Sequence, residues 1–159
     1  MKSIPLPKNK ETIVDDSDYV YLSLKKWMID KTGYVIGWTK MVNGKRRWVR
    51  MHREIMKAPR GVFVDHIDHD KLNNKRDNLR LCNNQQNKMN SAINARKRKY
   101  SQYKGVTLDI NNPDKWLAKI SINNNKIYLG SFISEKDAAK AYNKAAKYYF
   151  KEFACLNKI

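Results

Sequence analysis

Acidic side chains are scarce in this chain. Only 15 Asp+Glu stand against 33 Lys+Arg, so the 159 residues carry a formal net charge of +18. Cysteine is nearly absent too, and Cys82 and Cys155 form no Cys-x-x-Cys pair. That argues against a thiolate zinc site and a disulfide-stapled secreted domain, and points to a reducing interior. No apolar run approaches the roughly 18 residues of a membrane span. The start, Met1-Lys2-Ser3-Ile4-Pro5, lacks the apolar core of a signal peptide. The expectation is a soluble intracellular protein. Hydrophobic residues at 42% are enough to fold, which excludes a disordered polycation. A compact chain with this excess charge repels itself, so an anionic partner is expected, nucleic acid ahead of a membrane surface.

The charge is spread along the chain: +6 over 1–50, +7 over 51–100 and +5 over 101–159. One stretch, Lys88 to Lys104, holds no acidic residue and centres on Arg96-Lys97-Arg98-Lys99. We read 91–102 as a linker between two folded units. It is either a solvated spacer or a basic strap along a DNA backbone or minor groove, and both can hold at once.

Before the linker, Tyr34–Trp38 and Trp48–His52 alternate as strands joined through the turn signal Asn43-Gly44. Asp16 is placed to cap a short helix through Tyr19 and Leu22. After the linker, strand-like runs cover Tyr103–Leu108, Trp116–Ile122 and Lys126–Phe132, separated by Asn-rich turns. A helix follows, with Ser134 as N-cap and Asp137 as its capping-box partner. Ala138, Ala141, Tyr142, Ala145, Ala146 and Tyr149 give it an apolar face, opposite a stripe of lysines. The fold class expected is α+β.

Chemistry concentrates in Val64-Asp65-His66-Ile67-Asp68-His69-Asp70 and the Asn-rich run that follows. Asp65 and His66 end one strand signal, and Leu79–Cys82 reads as a second. Asn83 can cap a helix with Gln86 at its third position, placing Asn87 on the first turn. Asp and Asn offer oxygen ligands suited to magnesium or manganese, and a neutral imidazole suits proton abstraction from water. Asp65, Asp68 and Asp70 interrupt the positive field where a cation would sit. A calcium loop does not fit, because the spacing is wrong and its glycine is missing. A zinc site lacks a third nitrogen or sulfur ligand. His52 is read as structural.

Met51-His52-Arg53-Glu54-Ile55, Val64–Asp68, Asn73–Arg80 and Gln86-Asn87 together resemble an HNH homing endonuclease of the branch common in bacteriophages and mobile introns. The resemblance implies a ββα-metal nuclease motif following an N-terminal β-rich region, spanning 1–90. On it, Asp65 and Asn87 ligate a single Mg2+ or Mn2+, His66 is the general base, and Asn78 braces the loop and orients His66. His69 stands where Gly or Asn is commoner, which leaves open a second role with phosphate.

Residues 103–159 resemble a second family. Tyr103-Lys104-Gly105-Val106, Trp116–Ile120, Tyr128–Phe132, Ala138–Tyr142 and Phe153–Asn157 follow the ethylene-response-factor (APETALA-type) DNA-binding domain. This implies a three-stranded antiparallel sheet, packed on one C-terminal helix and laid into the major groove. Alternation puts Trp116, Ala118, Ile120 and Ile122 on the helix side. Lys119 and Ser121 then face DNA with Lys104, Thr107, Lys126 and Tyr128. Thr107 and Ser121 occupy positions where the plant-type domains carry arginine. Lysine is a point charge rather than a guanine-reading fork, so looser base specificity is expected.

Two functions follow. The first is a metal-dependent endonuclease acting on double-stranded DNA, a monomer with no membrane or small-molecule partner. It would be encoded by a phage or mobile element and work in the cytoplasm of a bacterial host, at the nucleoid. The second is a catalytically inactive DNA-binding regulator built from the same modules.

Overall fold

Alternating apolar positions close the N-terminal strands into hairpins. The computed structural model describes residues 1–39, 41, 44–91 and 100–159. They form two units, Met1–Asn87 and Lys88–Ile159.

In the first unit, β1 (Lys2–Leu6) pairs antiparallel with β2 (Lys10–Val14). Lys8 and Asn9, at φ 66° and 52°, make the tight turn whose twist suits such a hairpin. Ile4, Leu6, Thr12 and Val14 face inward. The helix α1 (Asp16–Ser23) follows, with Asp15 rather than Asp16 in the cap position and no side-chain cap bond there. Its acids hold another segment instead. Asp18, 2% exposed, takes a two-pronged contact from the Arg76 guanidinium at 2.8 and 2.7 Å.

A three-stranded sheet is ordered β3 (Trp27–Ile29), β4 (Val35–Trp38), β5 (Trp48–Arg50). Gly37 is required there, because a Cβ would come within 2.8 Å of the Trp27 ring. The strand expected over Trp48–His52 stops early. After Arg50 the chain turns into α2 (Met51–Ile55), which puts Met51 and Ile55, four residues apart and both 0% exposed, into one core with Leu22, Val14 and Val35. Truncating Leu22 to alanine there would cost about 2–5 kcal/mol. Asn43, half of the expected turn signal, lies outside the described residues. Strands β6 (Phe63–His66) and β7 (Leu79–Cys82) pair antiparallel, and α3 (Asn84–Asn90) follows.

In the second unit, β8 (Val106–Leu108), β9 (Trp116–Ile122) and β10 (Asn125–Phe132) form an antiparallel sheet with β9 central. It packs on α4 (Glu135–Phe150), with Ala118 and Ile120 buried beside Ala138, Tyr142 and Ala146. The first strand is shorter than its expected start at Tyr103, since Gly105 sits at φ 75°, outside extended geometry. Ser134 occupies the cap position of α4, but it makes no side-chain cap bond. Asp137 pairs with Lys140 at 2.8 Å rather than closing a capping box. Glu135 accepts from the Ser101 hydroxyl and the Gln102 amide, at 2.7 and 3.2 Å. Most of the expected linker, including Arg96, Lys97, Arg98 and Lys99, lies outside the described residues. No helix among the described residues is long and apolar enough to cross a membrane.

Candidate active site and nucleic-acid face

Antiparallel register sets Asp65 opposite Arg80 and His66 opposite Leu79. Arg80 Nε and Nη2 both donate to Asp65 Oδ2, at 3.0 and 2.8 Å. The 4%-exposed His66 ring places Nε2 3.3 Å from Asn74 Oδ1. Asn74, fully buried, donates through Nδ2 to Thr12 Oγ1 at 2.8 Å and to the Lys71 carbonyl at 3.1 Å. A carbonyl only accepts, so the amide nitrogen must face Lys71 and Oδ1 must face the histidine. Nε2 therefore donates, and the basic lone pair of the neutral ring is on Nδ1. Thr12 completes the chain by donating to the Leu72 carbonyl at 2.7 Å.

Asn78 braces the loop between the strands, as expected, but it is Asn74 rather than Asn78 that accepts from the His66 ring. Asn78 Nδ2 donates to Asp68 Oδ1 and the Asn73 carbonyl, at 2.9 and 2.8 Å, and its Oδ1 accepts the Asp68 amide at 3.1 Å. The three acids do not form one cation pocket. Asp68 accepts from Asp70 N and Asn73 Nδ2, and Asp70 accepts from Leu72 N, so both carboxylates serve the loop. Among the described residues no cluster of three or more His, Cys, Asp or Glu is placed to hold a metal. His69 stands at φ 68°, a left-handed position that Gly and Asn adopt cheaply and His more readily than most residues.

His52, read as structural, packs directly against the His66 ring. It is 3% exposed, and its ring meets that of His66 edge-on at 4.9 Å, with Tyr34 packed on both at 5.1 and 6.1 Å. Burial, helped by His66, Arg50 and Arg53, pushes the His52 pKa down to about 3. Burial also lowers that of His66, against the opposing pull of Asn74 and of Asp68, Asp65 and Asp70. A neutral imidazole is the form that can take a proton. The Arg50 guanidinium and the Lys71 ammonium each lie 4.4 Å from the Tyr34 ring centre, which brings two cations to this corner.

Helix α3 opens with a reciprocal box. Gln86 N donates to Asn83 Oδ1 at 2.8 Å, and Asn83 N donates to Gln86 Oε1 at 2.9 Å. Asn87 N bonds the Asn83 carbonyl at 3.0 Å, which fixes Asn87 on the first turn. Strand, loop, strand and helix thus carry an acid, an oriented neutral histidine and an amide in that order.

The model of a family described as HNH endonuclease matches residues 57–89. An uncharacterized HNH endonuclease of Acanthamoeba polyphaga mimivirus is 36% identical over 145 residues, covering 87% of this chain and 70% of that protein. The chain belongs to the HNH endonuclease family. The match spans both strands and most of α3, so Asp65, His66, Asn74, Asn78 and Asn87 lie inside it, while Thr12, Tyr34, Arg50 and His52 lie outside.

HNH nucleases generally use a divalent metal, and the donors present fit a hard one. Arg80 Nε and Nη2 meet Asp65 at Oδ2, and a carboxylate has a second oxygen that can serve a hard cation, to which Asn87 adds an amide oxygen. In the second unit of this HNH endonuclease, Lys126 pairs with Ser121, Tyr128 with Lys119, and Thr107 with Leu117. Lys119, Ser121, Lys126 and Tyr128 are exposed on the face away from α4. Lys104 is turned elsewhere: its ammonium donates to the Met89 and Ser91 carbonyls at 2.7 and 2.8 Å.

Proposed function

We propose that this HNH endonuclease hydrolyses phosphodiester bonds of double-stranded DNA at long, loosely read sites, in the homing manner, for a virus or mobile element. The observation that carries the reading is the Thr12–Asn74–His66 chain, which holds a buried imidazole with Nε2 as donor and Nδ1 as base. His66 Nδ1 takes the proton of the attacking water. Asp65 and Asn87 would hold one Mg2+ or Mn2+, and that ion, when bound, supplies charge stabilisation at the phosphate and the leaving 3′ oxygen. Asn78 keeps the loop in shape, and Asn83 with Gln86 keeps Asn87 on its turn.

Residues 1–90 form the nuclease module in this reading, 91–102 a basic linker and 103–159 an ethylene-response-factor-like reader. Thr107, Lys119, Ser121, Lys126 and Tyr128 contact the duplex, joined by Arg96, Lys97, Arg98 and Lys99 along the backbone. With its ammonium held by carbonyls, Lys104 supports this face rather than touching DNA. One asymmetric site per monomer makes nicking the first reaction.

The inactive-regulator reading has one observation in its favour, the Arg80 ion pair on Asp65. One experiment separates the two. Wild type and His66→Ala are incubated with neighbouring genomic DNA and magnesium, beside EDTA controls. Metal-dependent cutting by wild type alone supports the enzyme. Equal cutting by both removes His66 as base, and tight binding without cutting by either establishes the regulator.

A further inference from the structure

A sheet in the first unit turns one face to solvent in a way the core does not require. On β3–β4–β5 the inward positions, Trp27, Val35 and Gly37, are buried, and Val49 packs on the same core. Cross-strand register places Met28 beside Ile36, Ile36 beside Arg50, and Trp38 beside Trp48 on the opposite face. There the two indoles stack with centroids 3.8 Å apart, yet they remain 44% and 49% exposed. Met28 is 44% exposed as well. Exposed tryptophans clustered on one face of a soluble unit mark a contact surface.

The charge around this plate identifies its occupant. Lys45, Arg46 and Arg47 are exposed on the approach to β5, and Arg50 ends the strand on the Tyr34 ring. Lys71 reaches the same ring, which in turn packs on His52 and His66. The nearby acid, Asp30, is occupied by Thr32 and the Tyr34 amide, so its charge serves a turn. An apolar plate set among cations matches the deoxyriboses and phosphates of a DNA groove edge.

We propose that the outer face of the β3–β4–β5 sheet, centred on Trp38, Trp48 and Arg50, is a DNA-contact surface that leads the duplex along Tyr34 and Lys71 to His66. The indole plate packs on the sugar edge of the groove. Arg50 takes a phosphate next to the one that is cut, while Lys71, whose ammonium donates to the Thr32 carbonyl at 2.6 Å, supports the Tyr34 ring. The inference rests on the nuclease reading for its direction toward His66, but the contact itself does not depend on cleavage.

The test uses the full chain in EDTA, with random-sequence duplex DNA as probe. Hydroxyl-radical oxidation of Trp38 and Trp48, read by mass spectrometry, should fall several-fold on saturation with DNA. Tyr149, exposed on α4, is the internal reference. In the magnesium assay, the Trp38→Ala/Trp48→Ala double variant should raise KM about tenfold, equivalent to 1.4 kcal/mol, with kcat held. Arg50→Ala should lower kcat/KM further, and urea midpoints check that each variant is folded. Undiminished oxidation of both tryptophans on saturated DNA overturns the proposal, and so does an unchanged KM in a folded double variant. A protein that protects both tryptophans but cuts nothing retains this surface and loses the nuclease reading; one that cuts without protection loses the surface alone.

Discussion

Asn74 and Asn78 are chemically identical and four residues apart, yet the structure gives them different work. Asn74 fixes the tautomer of His66, and Asn78 makes three bonds inside the loop. Asn74→Ala should therefore lower kcat about 10–100-fold, the usual loss when an orienting partner is removed, with DNA affinity held. Asn78→Ala should lower the urea midpoint as well, since it strands buried loop groups. A second expectation concerns acid. The unfolded His52 protonates near its ordinary 6.5, whereas the folded one resists until about 3. Below pH 6.5 the unfolded chain binds the extra proton, so stability is complete above that value and falls as pH drops toward 3. The slope reaches about 1.4 kcal/mol per pH unit for such a group, and the lowered pKa of His66 acts in the same direction. Urea titrations from pH 7 to 4 should show that slope, flattened in His52→Phe.

Elements whose signal is local are legible in the sequence. Trp116–Ile122 appears as read, and the Asn83/Gln86 box is formed because both partners lie within one turn. What escaped depends on distant chain. Thr12 enters the site because β2 bridges to Asn73, with Ile13 bonded to Leu72 and Asn74 across about sixty residues. The helix over Met51–Ile55 escaped because alternation over Trp48–His52 imitates a strand until the core claims Met51 and Ile55. Ser134 shows the converse: the cap position was legible, but its hydroxyl makes no cap bond, and Glu135 is drawn to Ser101. One element-level prediction follows from Gly105, whose backbone sits at φ 75° with the Tyr142 ring where a Cβ would go. Gly105→Ala adds left-handed strain and overlap together, and should cost about 2–4 kcal/mol. A lowered thermal midpoint of the Lys88–Ile159 unit, followed through Trp116, is the measurement.

For the whole molecule, the shortage of acids is not uniform in meaning. Asp18, Asp68 and Asp70 are consumed by Arg76 and the site loop, so these negative charges of the first unit build structure. The unpaired excess is left to meet phosphates, and counterion release makes such binding steeply salt-dependent. If the exposed face of the C-terminal sheet lies on DNA, each lysine there neutralises about one phosphate. Lys119→Ala and Lys126→Ala should then each reduce the slope of log K against log salt by about 1, and weaken all sequences alike. Lys144→Ala, exposed on α4, should leave the slope unchanged. Site selection with the full chain should yield a degenerate consensus, because Thr107, Ser121 and the lysines offer no two-pronged guanine contact. A sharply defined guanine-rich core, or equal slope losses for Lys119 and Lys144, would remove this face from the DNA interface and leave the charge without the assignment given to it.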